Sequence, residues 1–131
     1  MSSGKCDAMA KKELPEEFAL LLEWKQRLEL MDWIITLQTD MHPDNMILSG
    51  ACGCTSWEES IKAAQIQIAD PAKLPDQLRQ FDFEETLVHE LLHIKTSLLS
   101  TDDEKSLQDR ILHQLIDDLS RALVAAKRGT L

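Results

Sequence analysis

Two histidines and a glutamate stand at a spacing suited to metal chemistry in the segment His89-Glu90-Leu91-Leu92-His93. In an α-helix, positions i and i+4 lie about 40° apart, so His89 and His93 project from one side and can bind the same ion. Glu90 is turned by about 100° from His89, near enough to hold a water on that ion. Neutral imidazoles suit Zn²⁺, and a carboxylate beside a zinc-bound water can take its proton. The spacing therefore predicts a Zn²⁺ site with Glu90 as a general base.

Two histidine ligands are not enough for a zinc site, which takes at least three protein ligands. Near the C-terminus, His113, Asp117 and Asp109 follow one another at helical i+4 spacing on one polar side. Each of them is a candidate third ligand. The alternative for each is an ordinary solvated side chain on a surface helix, and the spacing alone does not decide between the two.

The segment from Glu85 to His93 resembles the active-site helix of zincin metallopeptidases, and the chain is similar to small phage- and prophage-type metallopeptidases. In the thermolysin-like branch, a Glu on the next helix is the third ligand, and an Asp one turn later orients a ligand histidine. Here His113 stands twenty residues after His93, and Asp117 follows one turn later. The resemblance implies His113 as the third metal ligand and Asp117 as the orienting residue.

The resemblance covers about residues 62–124 and implies hydrolysis of peptide bonds in a peptide or protein substrate. A strand before the active helix pairs with extended substrate in such enzymes, and Gln65, Ile66 and Gln67 match that edge strand in pattern. Two features depart from the family: the third ligand is His113 instead of Glu, and the chain contains no tyrosine. The alternative is a non-catalytic zinc-binding accessory or regulatory module that uses the same histidines structurally.

Helices must position these side chains, and the apolar periodicity predicts three of them. The first begins at Pro15, the active helix covers 84–99, and the last runs from a cap at Thr101 to about Lys127. In the active helix, Leu87, Leu91 and Ile94 are expected to face the core. In the last helix, the predicted apolar face is a stripe at i+4 spacing, widened by three neighbours; the stripe consists of Leu107, Ile111, Leu115 and Leu119, and the neighbours are Leu112, Ile116 and Leu123.

Alternating apolar and polar residues predict strands at 33–38 and 60–70, and 46–48 could begin a short strand before Gly50 and Gly53 interrupt it. The strand at 60–70 is predicted at or near a sheet edge, with Gln65 and Gln67 on its wet face. The fold class is therefore α+β: an N-terminal helix, a small, about three-stranded and mostly antiparallel sheet, the HExxH helix and a C-terminal helix. With the resemblance, this layout is that of a minimal zincin.

The length of 131 residues is that of one domain, which we place at 14–131 after a loose N-terminus at 1–13. A net charge of -9 disfavours binding to nucleic acid, whose phosphates carry the same sign. No leader or membrane-spanning run stands out, so we expect a cytoplasmic protein. Three cysteines, with Cys52 and Cys54 separated by one glycine, do not suggest a disulfide framework, and we expect ordinary loop or strand cysteines.

Overall fold

A computed structural model describes residues 15–47, 51–75, 79–103 and 105–129, and within them the chain forms three α-helices and one three-stranded sheet. The loose N-terminus predicted at 1–13 lies outside the described residues. In chain order the elements are α1 (Glu16–Arg27), β1 (Ile34–Met41), β2 (Gly53–Glu58), β3 (Ala63–Ala69), α2 (Phe83–Lys95) and α3 (Leu107–Arg128). The predicted α+β layout is confirmed.

Side-chain caps fix where α2 and α3 begin. The Asp82 carboxylate accepts a hydrogen bond from the backbone N–H of Glu85 at 3.1 Å, and the Ser106 hydroxyl accepts one from the N–H of Asp109 at 3.1 Å. Each bond satisfies an N–H that the first turn of a helix leaves without an intrahelical partner. The cap of the last helix is thus Ser106, and the predicted cap at Thr101 is wrong. At the other end, Gly129 adopts the left-handed conformation, with φ 71°, that ends many helices.

The sheet has the order β1-β3-β2, with β1 parallel and β2 antiparallel to β3. It is therefore mixed, where the sequence predicted a mostly antiparallel sheet. The strand predicted at an edge is instead the central one, because β3 has a neighbour on each side. As a result Ile66 is fully buried, and Gln67, predicted on a wet face, is buried too.

The second strand is displaced from its predicted position. Pro43–Asn45 forms a 3₁₀ turn, Met46 and Ile47 follow it outside any strand, and Leu48 lies outside the described residues. The strand begins at Gly53, a residue that was expected to interrupt it. An isolated glycine in a strand is typical of a close approach to another part of the chain, and β2 makes such an approach to α2.

Helix α2 lies at the centre of the molecule. Leu87, Val88 and Leu91 are fully buried, and α2 contacts the sheet, α1 and α3. The core that surrounds it includes Trp24 of α1 and Ile66 of β3. The prediction that Leu87, Leu91 and Ile94 face the core is confirmed. Helix α2 ends at Lys95, earlier than predicted, and 97–99 forms a 3₁₀ turn.

Helix α3 buries a different face from the predicted one. Leu112, Ile116 and Val124 are buried, whereas the predicted apolar stripe, Leu107, Ile111, Leu115 and Leu119, is exposed. Leu112 and Ile116 were expected only at the margin of the buried face. Of the helices that the structure describes, none is both long and apolar enough to cross a membrane.

Candidate metal centre

His89, Glu90 and His93 converge on the surface of α2. One ligand atom from each of the three lies within 4.8 Å of the others. Among the described residues, this is the one group of at least three His, Cys, Asp or Glu side chains with such spacing. Imidazole nitrogens and a carboxylate oxygen are ligands for divalent transition metals, so the group could hold a metal ion.

The core fixes the helix behind this group. Leu87, Leu91 and Ile94 fill the opposite side of α2 and are each at most 1% exposed. A helix buried in this way cannot rotate or slide without opening cavities in a close-packed core. The two histidines are therefore held at i,i+4 spacing on a rigid element, which is what a preorganised metal site needs.

Strand β2 encloses the carboxylate of Glu90, which is only 5% exposed. The hydroxyl of Thr55 donates a hydrogen bond of 2.6 Å to Glu90 Oε1. Next to it, Gly53 packs so closely that an added Cβ would lie 3.1 Å from Glu90 Oε2 and 3.0 Å from Thr86 Cγ2. Burial raises the pKa of Glu90 to about 7, although the hydrogen bond from Thr55 opposes the rise.

Both histidines are disposed to stay neutral. Burial, together with the nearby His89 and His113, lowers the pKa of His93 to about 4. Burial also lowers the pKa of His89, while the charge of Asp117 works in the opposite direction. A neutral imidazole keeps the lone pair that binds a metal, so at neutral pH these side chains are in the form that binds metal ions.

Asp117, which follows His113 by one turn of α3, lies next to His89. Its Oδ1 is 3.7 Å from His89 Nδ1, and its carboxylate also forms an ion pair with Arg121. A carboxylate near one ring nitrogen of a histidine favours a metal at the other nitrogen. This placement suits the orienting role that the resemblance implied for Asp117.

His113, the predicted third ligand, lies beside His93 with 5.0 Å between the ring centroids. Its Nε2, however, is 3.2 Å from Oδ2 of the buried Asp109, and His113 is not part of the 4.8 Å group. The three histidines thus form a row across α2 and α3, since the rings of His89 and His93 are 5.1 Å apart. The identity of the third ligand stays a prediction.

A cleft of about 350 Å³ opens on this surface. His89, Glu90 and Asp117 line it together with Arg121 of α3 and Cys52, which immediately precedes β2. Small molecules and chain segments bind in concave sites of this size. The cleft therefore gives a ligand access to Glu90 and to one of the two histidines.

The predicted substrate strand is not at this cleft. Ile66 is buried in the core. The side chain of Gln67 makes structural hydrogen bonds, because its Oε1 accepts from the N–H of Ile47 and from the thiol of Cys54. Gln65 is in the same central strand and pairs with both neighbours. The edge-strand role assigned to these residues is wrong, because β2 separates β3 from that edge.

Sequence reasoning missed Thr55, which donates a hydrogen bond to Glu90, and Gly53, which packs closely against it. Thr55 is 35 positions from Glu90, and nothing in its local pattern marks it. The one available signal was at Gly53, because a glycine next to apolar and β-branched residues can mark a close approach within a strand. Comparisons with models of protein families, with curated proteins and with solved structures find no match to this chain.

Proposed function

We propose that the protein is a zinc-dependent hydrolase that cleaves peptide bonds, with Glu90 as the general base. The observation that carries the proposal is a buried carboxylate that lies within 4.8 Å of ligand atoms of two histidines and accepts a hydrogen bond from a threonine. A purely structural metal site does not need a buried base beside the ligands. A hydrolase does need one, to take a proton from the attacking water.

Each residue of the site has a role in this proposal. His89 and His93 would hold the ion, His113 would be the third ligand, and Asp117 would orient His89. When bound, Zn²⁺ supplies a Lewis acid that polarises the scissile carbonyl and makes a water more acidic. Glu90 takes the proton of that water and passes it to the leaving amine. Thr55 occupies Oε1 of Glu90, which leaves Oε2 for the water.

Strand β2 supports a peptide as the substrate. It is at the edge of the described sheet, and its Thr55 contacts Glu90 directly. The C=O of Cys52 accepts a hydrogen bond from the N–H of Ala69 in β3, so alternation directs the backbone groups of Gly53, Thr55 and Trp57 away from β3. An extended peptide can add to such an edge through main-chain hydrogen bonds.

The test is Glu90→Gln, compared with wild-type protein at equal zinc content. The amide keeps the size of the side chain but cannot accept a proton at neutral pH. We expect zinc to stay bound and the cleavage of internally quenched peptides to fall by about 10²–10⁴-fold. Glu59→Gln, in an exposed turn after β2, is the matched control and should keep full activity.

The second candidate is the non-catalytic zinc-binding module. The observation in its favour is the composition, because a tyrosine that could stabilise an oxyanion does not occur in the chain. The two candidates differ in a measurable way. If zinc-loaded wild type cleaves no peptide in a diverse quenched library while it binds one zinc per chain, the module is the better account.

A further inference from the structure

Helix α3 presents three different sides. One side packs into the core through Leu112, Ile116 and Val124. A second side carries His113 and Asp117 towards the metal centre. Successive residues lie about 100° apart around a helix axis, so the remaining residues form a third side. This third side faces away from the core and from the metal centre. This third side has no function in the proposed hydrolase.

The third side is apolar for most of its length. Four residues at i+4 spacing form what we call the outer stripe: Leu107, Ile111, Leu115 and Leu119, which are 70%, 58%, 49% and 39% exposed. They span about 18 Å of helix. Leu99 is also exposed and lies close to the N-terminal end of α3, since its carbonyl accepts a hydrogen bond from Gln108. Soluble proteins rarely expose contiguous apolar surface of this extent without a binding partner.

The stripe continues towards the C-terminus with small residues. Ala122 and Ala126 follow on the same side and are exposed. The third side is therefore bulky at its N-terminal half and flat at its C-terminal half. In an antiparallel pair of helices, the residue numbers rise in opposite directions, so residues at the same height have a constant sum. If Leu107 of one copy is level with Ala126 of the other, then Ile111 is level with Ala122. Leu115 then lies within one residue, about 1.5 Å, of level with Leu119 of the other helix.

A parallel pair does not fit equally well. It would set large residues against large ones at one end and alanines against alanines at the other, so the axes would diverge. Antiparallel pairing matches large against small at both ends, and it also sets the two helix dipoles in opposite directions. The surface is thus complementary to itself about a two-fold axis, which is the condition for an isologous dimer.

Charge also favours a second copy. The chain carries a net charge of -9, so two copies repel each other over most of their surfaces. Over residues 110–121 of α3, however, the charged side chains are Arg110, Asp117, Asp118 and Arg121, and their charges sum to zero. Arg121 forms ion pairs with both aspartates. This stretch of α3 therefore adds no net charge to the repulsion between two acidic chains.

We propose that this chain forms a two-fold symmetric dimer in which α3 packs antiparallel against α3 of a second copy through the outer stripe. The metal centre lies on another side of α3 and stays open to its ligands. The proposal does not rest on the proposed hydrolase, and no substrate is needed to test it.

The test is sedimentation velocity of the full chain over a micromolar to submillimolar concentration series. We expect wild type to dimerise, and Ile111→Glu to raise the dimer dissociation constant by about tenfold or more, because a charge would be buried where an isoleucine is lost. Ile34→Glu is the matched control: Ile34 is 71% exposed but lies on β1, so its variant should dimerise like wild type.

A second pair of variants tests the register. Ala122→Ile alone should weaken the dimer, because the new side chain meets Ile111 of the other copy. Combining it with Ile111→Ala exchanges large for small and should restore dimerisation to within a few-fold of wild type. Circular dichroism checks that each variant is folded. Wild type that stays monomeric at every concentration, or a dimer that Ile111→Glu leaves intact, would overturn the proposal; a double variant weaker than both singles would overturn the antiparallel register.

Discussion

At the scale of single residues, the placement of Glu90 in the candidate site depends on contacts from β2. Glu90 is buried, which is costly for a carboxylate without hydrogen-bond partners. Thr55 supplies a hydrogen bond, and Gly53 leaves the room that the carboxylate occupies. The glycine is required here by a close approach between side chain and strand, because Gly53 is not among the residues with positive φ.

Gly53→Ala should therefore destabilise the protein. Its Cβ would lie 3.0 Å from Thr86 Cγ2, 3.1 Å from Glu90 Oε2 and 3.2 Å from Glu90 Cγ, so α2 or β2 must shift. We expect the free energy of unfolding in urea to fall by about 1–3 kcal/mol, the usual cost of overpacking. Ser56→Ala, at an exposed position of the same strand, is the control and should change it by less than about 0.5 kcal/mol. Equal effects of the two variants would show that the contact at Gly53 is unimportant.

The third metal ligand is also a question of single residues. His113 adjoins His93 but is paired with Asp109, whereas Asp117 adjoins His89. We expect His113→Ala to weaken zinc affinity far more than Asp109→Ala, because the imidazole would bind the ion and the Asp109 carboxylate would only orient that ring. Competition with a chromophoric zinc chelator measures both. Zinc binding that survives His113→Ala and fails in Asp117→Ala would reverse the assignment of ligand and orienting residue.

At the scale of elements, charged side chains around the buried Glu84 join the start of α2 to the end of α3. Glu84 is buried and accepts hydrogen bonds from Trp24 Nε1 of α1, at 2.6 Å, and from Lys127 of α3. Arg128 forms ion pairs with both Asp82 and Glu84. The cluster links all three helices at the N-terminal end of α2 and the C-terminal end of α3.

These ion pairs predict how stability depends on pH. Arg128 lowers the pKa of Asp82; burial works to raise the pKa of Glu84, but Lys127, Trp24 and Arg128 together outweigh it and lower that pKa as well. A carboxyl with a lowered pKa binds fewer protons in the folded chain, so its stabilisation is complete above the unfolded values of about 3.9 for Asp and 4.3 for Glu. That stabilisation is lost as the pH falls through the folded values.

Glu84→Gln tests this account. At pH 7 the variant should be less stable than wild type by about 2 kcal/mol, the usual value of hydrogen bonds between charged groups. The difference should shrink as the pH falls below about 4, because wild type then loses the same charge by protonation. Urea denaturation at a series of pH values measures both curves. A difference that is constant with pH would mean that Glu84 acts through packing alone.

The elements also show what the sequence can and cannot predict. The histidine pair and its buried backing were predictable because they depend on local helical spacing. The buried face of α3 was not, since this helix carries leucine or isoleucine around much of its circumference, and periodicity alone does not say which apolar stripe meets the core. The central position of β3 and the contact of Thr55 with Glu90 depend on contacts between distant parts of the chain. A local sequence pattern does not predict such contacts.

At the scale of the whole molecule, the candidate metal site is backed by the hydrophobic core. The side chains behind the candidate site, among them Leu87, Val88 and Leu91, are fully buried in one continuous core with Trp24 and Ile66. Small zinc domains that unfold without metal lack such a core. We therefore expect the metal-free chain to be folded, and zinc to add stability to a structure that already exists.

The size of that addition follows from mass action, because an ion that binds only the folded chain shifts the equilibrium towards it. With free zinc at about 100 times its dissociation constant, the gain is about 2.7 kcal/mol, which corresponds to a rise in Tm of roughly 10 °C for a domain of this size. Calorimetry of protein stripped with a chelator and then titrated with zinc measures this rise in Tm.

His93→Ala should lose most of the gain, while His42→Ala, in a turn outside the candidate metal centre, should keep all of it. Stripped wild-type protein that takes up no zinc and melts at the same temperature with and without the ion would refute the zinc site itself, whatever the other variants show.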